Sequence, residues 1–189
     1  MTNTPEIILI EGLDRLGKTS LVDNIVNRLG YYQKIHFSKP RVLDAIIPEG
    51  TTNQRLREYQ IMCFQNFFTM TRAYGANIIC DRAHLGEYVY SPLYREYDGR
   101  YVFDLEKDYE IDQDPRFRLI LLTEDFSVSK HFVDDGLSLG TADRRYEEQE
   151  RFIEAFHLSN IKDKRTINVT MSGIGAFHSM EHILNEALK

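Results

Sequence analysis

The chain has 189 residues, 42% hydrophobic and 12% aromatic, enough for one well-buried core and short for two full domains, so residues 1–189 read as a single domain. A formal net charge of −6 argues against duplex nucleic acid as the main partner, which needs a wide basic face, and leaves a local basic pocket for a small phosphorylated ligand. No run approaches the ~18 apolar residues of a membrane span and the polar start does not read as a signal peptide, so a cytoplasmic protein with no membrane partner is expected.

Glu6 to Ile10 is a short β-branched apolar run between Pro5 and Gly12, the pattern of a strand buried in a parallel sheet. It opens into Gly12-Leu13-Asp14-Arg15-Leu16-Gly17-Lys18-Thr19-Ser20. From Lys18 onward, Leu21, Ile25 and Leu29 recur one helical turn apart beside Val22 and Val26, and Gly30 supplies a stop, so a helix of about three turns follows. Gln33–Phe37 predicts the second strand, closed by Ser38, Lys39 and Pro40. After a polar stretch punctuated by Gly and Pro, Leu56–Tyr74 reads as a long helix rich in Phe and Met, ended by Gly75. Asn77–Cys80 is the third strand, with Asp81 and Arg82 at its carboxyl end. The two cysteines, Cys63 and Cys80, lie among apolar residues and are expected as buried reduced thiols, in neither a disulfide nor a metal site.

A helix carrying Glu87, Tyr88 and Tyr90 is expected beyond Arg82. The acidic stretch Asp98–Asp114 has little periodicity and predicts a solvated surface insertion; for the wider span from Tyr94, a lid over an acceptor or a partner site stays open beside it. Phe117–Thr123 is the fourth and most hydrophobic strand, Ser127–Val133 and Tyr146–Leu158 read as helical, Thr166–Thr170 as the fifth strand and Ala176–Leu188 as a final amphipathic helix. Strands alternating with helices imply an α/β fold, a five-stranded mainly parallel sheet with helices on both faces, whose ligands bind beyond the carboxyl ends of the strands.

Gly12, Gly17, Lys18 and Thr19 have the spacing G-x-x-x-x-G-K-[ST], set between a predicted strand and a predicted helix. Backbone N–H groups of such a loop converge on phosphate oxygens at the positive end of the helix, the lysine neutralises the transferred group and the hydroxyl holds magnesium. Gly12 to Ser20, including Leu13, Asp14, Arg15 and Leu16, are therefore assigned to ATP, and Lys18 to catalysis. A strand-end carboxylate beside this loop holds magnesium or orients the attacking oxygen, and a neighbouring guanidinium clamps an acceptor phosphate; Asp81 joins Thr19 as a metal residue and joins the catalytic set, and Arg82 is assigned to the acceptor.

"IEGLDRLGKTS" and "IICDRAHLGEYVY" together resemble the thymidylate kinases of the nucleoside monophosphate kinase group, over about Glu6 to Phe156. The resemblance implies a P-loop kinase three-layer sandwich, ATP as phosphoryl donor, Mg2+ as cofactor and a homodimer. It implies that Asp14 meets the acceptor sugar and the magnesium network, and that Arg15 reaches across the phosphoryl groups as a catalytic arginine. A preorganised cation on the transferred phosphoryl group is worth about 10³ or more in rate. The lid-like segment, about 134–145, has no arginine before Arg144 and Arg145, which leaves Arg15 as the leading catalytic cation and those two as secondary ones. Lys39 and Arg41 in "FSKPR" stand where family members carry a basic, Pro-containing stretch near the acceptor monophosphate.

Base recognition is expected on the long helix, where Phe64, Gln65, Phe68 and Arg72 alternate flat apolar and hydrogen-bonding groups; a core stripe gives the same spacing. "HLGEYVYSPLYR" departs from most thymidylate kinases, and Glu87 and Tyr90 there are candidates for sugar or base contact, while His84, with no second histidine at ligand spacing, reads as structural or substrate-adjacent. The leading reading is transfer of the ATP γ-phosphoryl to a deoxynucleoside monophosphate, with dTMP or a related pyrimidine nucleotide as first choice. The alternatives are a deoxynucleoside kinase acting on a 5′-hydroxyl, a kinase acting on a nucleic-acid hydroxyl, and a non-catalytic nucleotide-binding module.

Overall fold

In the computed structural model, residues 5–37, 52–126, 142–171 and 176–189 are described. The main sheet has strands β1 (Ile7–Gly12), β2 (Tyr32–His36), β3 (Asn77–Asp81), β4 (Phe117–Thr123) and β5 (Asp163–Asn168) in the order β2-β3-β1-β4-β5, all parallel. β1 is central, and Ile7, Ile8, Leu9 and Ile10 have no exposed surface because helices cover both sides of a parallel sheet. Register pairs Ile10 with Asp81 and Gly12 with Leu122, so the carboxyl ends of β3 and β4 flank the exit of β1.

The helices are α1 (Lys18–Leu29), α2 (Thr52–Ala73), α3 (Leu85–Tyr94), α4 (Tyr101–Asp108), α5 (Ala142–Leu158) and α6 (Met180–Ala187). α1 packs with α6 over β1, β2, β3 and β5, while α3 packs with α5 and with α4, and α2 with α4. Gly30 closes α1 by donating its N–H to the Val26 carbonyl at 2.9 Å, and the Ser179 hydroxyl caps α6 by accepting from the His182 N–H at 3.2 Å. Cys80 is buried and Cys63 half-buried, and both are free thiols.

Three local expectations need correction. Asp98–Asp114 is not a solvated insertion: it forms α4 and a 3-10 turn at Ile111–Gln113, burying Val102, Phe103, Leu105 and Ile111. The apolar positions are too few to show a period in so acidic a stretch, and one of the acids, Glu106, is itself interior with 0% exposure. The last helix starts at Met180, because Ala176–Phe177 pairs antiparallel with Thr170–Met171 in a small hairpin. The fifth strand lies at Asp163–Asn168, where charged residues edge the sheet and mask the apolar signal. The predicted helix at 127–133 and the lid residues 134–141 lie outside the described residues.

Glu106 joins α4 to the end of α5 and to the turn before α3. Its Oε1 lies 2.6 Å from His84 Nε2 and accepts from Ser159 Oγ at 2.7 Å, while Oε2 accepts from the Asn160 N–H at 2.6 Å and Asn160 Nδ2 at 2.9 Å. Burial alone would push this carboxyl up, but the bonds from His84, Asn160 and Ser159 outweigh it and hold the group below the ordinary 4.5. A depressed carboxylate contributes stability that is present above pH 4.5 and is lost as pH falls below that value toward the lower folded pKa. Glu106→Ala is expected to lower unfolding free energy by about 3 kcal/mol or more at pH 7, with the difference from the parent shrinking on acidification, as measured by urea titration at a series of pH values.

Candidate active site

The loop between β1 and α1 has little conformational choice. Gly12 takes φ 131°, and a Cβ there would sit 2.4 Å from the Leu122 carbonyl oxygen of β4. Gly17 takes φ 82°, the left-handed conformation that turns the chain into α1. Leu13 and Leu16 are buried in the core, so these two residues anchor the loop by their side chains and present only backbone to a ligand. Thr19 and Ser20 are exposed at the start of α1.

Lys18 is 5% exposed, and its Nζ donates to the carbonyls of Gly12 at 2.8 Å and Leu13 at 2.5 Å, with the Asp14 carboxylate 3.8 Å away. Burial lowers its pKa to about 8, against the opposing pull of Asp14; Arg82 adds to the lowering, while Glu11 and Asp81 oppose it. Asp81 Oδ2 accepts from Thr19 Oγ1 at 2.6 Å and lies 3.1 Å from His36 Nδ1, whereas Asp81 Oδ1 is buried and takes no hydrogen bond. A hydroxyl and a carboxylate with one uncommitted oxygen are hard donors that suit Mg2+. Among the described residues there is no group of three or more His, Cys, Asp or Glu side chains placed to hold a metal ion. Thr19 and Asp81 are the residues that would hold Mg2+.

Several participants escaped the sequence reading. Glu11, 1% exposed, accepts through Oε1 from the N–H groups of Ala83 at 3.0 Å, Leu85 at 2.9 Å and Gly86 at 3.3 Å. Its signal was a lone acid closing an otherwise apolar strand, which has to find donors inside the protein. Glu124, just past β4, is 4% exposed and its Oε1 accepts from Arg145 Nε at 2.6 Å. Gln149 brackets the Glu124 backbone, accepting its N–H at 2.8 Å and donating to its carbonyl at 2.9 Å. Long-range pairs of this kind leave no local pattern.

The expected acceptor residues separate. Arg82 is in place: it takes φ 68° and its Nη2 donates to Asp14 Oδ1 at 2.6 Å. Tyr90 is buried beside this pair; burial, and then the carboxylates of Asp14 and Glu148, push its phenol well above the ordinary 10. Arg15, half-buried with φ 69°, lies between Asp14 and Leu16 in the loop itself. Arg145 turns inward, with Nη2 donating to the Asp14 carbonyl at 3.1 Å, while exposed Arg144 donates to the Leu93 carbonyl at 3.1 Å and covers the Tyr94 ring. Phe64 is buried against Phe37, near the carboxyl end of β2, and Gln65 beside it is half-buried.

Three of the assigned residues are engaged elsewhere in the protein. Phe68 has no exposed surface and packs on Phe67, His84, Tyr109 and Phe117, so it has no face left to stack on a base. Arg72 ends α2 just before β3 begins, at the end of the sheet away from Asp81, and pairs with Glu110 at 2.9 Å. Glu87 is consumed: Oε1 accepts from Tyr97 at 2.5 Å and Tyr101 at 2.9 Å, and Oε2 is paired with Arg95. Lys39 and Arg41 lie outside the described residues.

A phosphate loop at the exit of the central strand and a strand-end acid on the next strand define the P-loop class of α/β proteins. No family model and no curated protein matches the chain. Solved structures do match. The thymidylate kinase of Ehrlichia chaffeensis aligns with a TM-score of 0.65 at 14% identity, covering 98% of this chain and 97% of that one. The YorR protein of Bacillus subtilis, in complex with phosphorylated GDP, aligns at 0.62 and 19% identity over 96% and 93%. Deoxyadenosine kinase of M. mycoides, with bound dCTP, aligns at 0.51 and 19% identity over 95% and 97%. Within the P-loop class, the fold is therefore the thymidylate kinase-like nucleoside monophosphate kinase fold. No described helix is long and apolar enough to cross a membrane.

In the free protein Lys18 is half-protonated near pH 8, and only the charged form is matched to a polyphosphate. The apparent affinity for ADP is expected to fall as pH rises through about 8, with net proton uptake on binding there. Titration calorimetry in two buffers of different ionisation enthalpy measures both.

Proposed function

We propose that this chain is a magnesium-dependent kinase that transfers the ATP γ-phosphoryl group to a deoxynucleoside monophosphate, with dTMP or a related pyrimidine nucleotide as first choice. One observation carries the reading: Asp81 and Arg82, adjacent in sequence, engage two different residues of the phosphate loop. Asp81 faces the Thr19 hydroxyl, while Arg82 reaches the Asp14 carboxylate of the loop. On this reading donor and acceptor groups meet where β1 and β3 end.

Arg82 favours a nucleotide over a nucleoside. A guanidinium matches a phosphate with two parallel hydrogen bonds, and a bound monophosphate would draw Arg82 from Asp14 and leave that carboxylate for the acceptor sugar. The monophosphate oxygen is already a competent nucleophile, so positioning and charge neutralisation suffice. In the transfer, the bond from the γ-phosphorus to its bridging oxygen breaks and ADP leaves with that electron pair. The acceptor phosphate oxygen supplies the pair for the new bond.

Lys18 exchanges its two loop carbonyls for phosphate oxygens, and Arg15 meets the charge spread over the transferred group. Magnesium, when bound, would neutralise and align the phosphates beside Thr19 and Asp81.

An ADP-release assay with magnesium-ATP and a panel of deoxynucleosides, deoxynucleoside monophosphates and oligonucleotides is expected to show turnover with dTMP or a close relative. Turnover with thymidine but not dTMP would replace this reading with the deoxynucleoside kinase. Lys18→Ala is expected to abolish turnover, and Arg15→Ala to lower kcat by about 10³ with a much smaller change in nucleotide binding, both read by steady-state kinetics.

A further inference from the structure

Arg15 carries a side chain yet holds φ 69°, a left-handed conformation that persists when its surroundings over-determine it. The peptide bond before it sets that geometry, because φ of Arg15 is the rotation between this peptide plane and its own Cα. The carbonyl of that peptide, belonging to Asp14, accepts from Arg145 Nη2 at 3.1 Å. The same guanidinium gives its Nε to Glu124 Oε1 at 2.6 Å, and the Glu124 side chain is 1% exposed. Glu124 is in turn fixed by the Gln149 amide, which bonds both its N–H and its carbonyl. Arg145 and Gln149 are one helical turn apart on α5, so the helix and the end of β4 form a closed bracket around one guanidinium.

We propose that Arg145 is a positioning residue: by bridging Glu124 and the Asp14 carbonyl, it sets the Asp14–Arg15 peptide plane and with it the course of the Arg15 side chain from the loop. No peptide bond among the described residues is cis, and in a trans peptide the carbonyl and N–H point opposite ways. Holding the Asp14 oxygen toward α5 therefore turns the Arg15 N–H away from α5. Arg145 then acts through the loop and does not itself touch the transferred group. A shift of α5 at its first turn reaches the phosphate loop through this contact. The kinetic arm of the test rests on the kinase reading; the binding arm does not.

Steady-state kinetics on Arg145→Ala, Arg15→Ala and the double variant separate a positioning role from a direct one. Arg145→Ala is expected to lower kcat by about 10²-fold with acceptor KM changed by less than about threefold. In the Arg15→Ala background the same substitution is expected to cost less than about threefold more, because its effect runs through Arg15. Losses that multiply in the double variant overturn the proposal. Arg145→Lys covers misfolding: an ammonium keeps the charge beside Glu124 but cannot span both acceptors, so the melting temperature should be retained while kcat is not. Recovery of kcat by lysine counts against the bridge.

Calorimetry with pyrophosphate and no nucleotide gives the second arm. Arg145→Ala is expected to weaken binding about tenfold, and Arg151→Ala, which removes only an exposed pairing with Glu147, to leave it unchanged. Equal affinity in Arg145→Ala and the parent overturns the positioning role. Absence of turnover in a parent that binds pyrophosphate would overturn the kinase reading and leave the positioning role to this arm.

Discussion

The site depends on the carboxylate of Glu11. It ends the central strand inside the protein and gathers the N–H groups of Ala83, Leu85 and Gly86, the unpaired donors at the start of α3. Burial pushes this carboxyl up, while His84, the Gly86 and Ala83 N–H groups and Lys18 pull it back toward the charged form. One interaction thereby fastens the exit of β1, which opens the phosphate loop, to the corner that carries Asp81 and Arg82. Without it, three buried donors lose their partner, and α3 loses the anion that complements its positive end.

A second layer of buried acids fixes what stands behind Asp81 and Arg82. Glu87 gathers Arg95, Tyr97 and Tyr101 onto α3, and Gly99 lies so close to that helix that a Cβ would sit 2.6 Å from the Tyr88 Cα. Glu106 ties the following helix to His84 and to the end of α5. The segment from Arg95 to Gln113 is thus part of the body of the protein and gives α3 a rigid backing. Each of these acids is expensive to bury alone and stable only because several donors converge on it.

These pairings also mark how far the sequence could be read. Four of the five parallel strands and the phosphate loop were legible because each rests on a local signal: an apolar run, a glycine where φ is positive, a helix stop at Gly30; the fifth, Asp163–Asn168, was placed three residues late because its charged residues hide the apolar run. Lys18, Thr19, Asp81 and Arg82 were legible because their positions follow from strand ends. The long helix was legible as a helix but not as a face, since Phe68 and Arg72 share the spacing of Phe64 and Gln65 while sitting progressively farther from the carboxyl ends of the strands. Glu106 and Glu124 were invisible for a different reason. Their donors lie far away in sequence, and nothing in their immediate neighbours distinguishes them from solvated acids.

The loop is neutralised from within before any ligand arrives. Lys18 is satisfied by two carbonyls, Asp14 by Arg82, and one oxygen of Asp81 by Thr19 and His36. An entering anion therefore gains only the difference between its own contacts and those it displaces. A singly charged anion recovers little more than it breaks, whereas a chain of phosphates replaces several internal pairs at once and keeps the surplus. The self-compensated loop thereby sets a charge threshold that favours a ligand carrying several charges over one carrying a single charge.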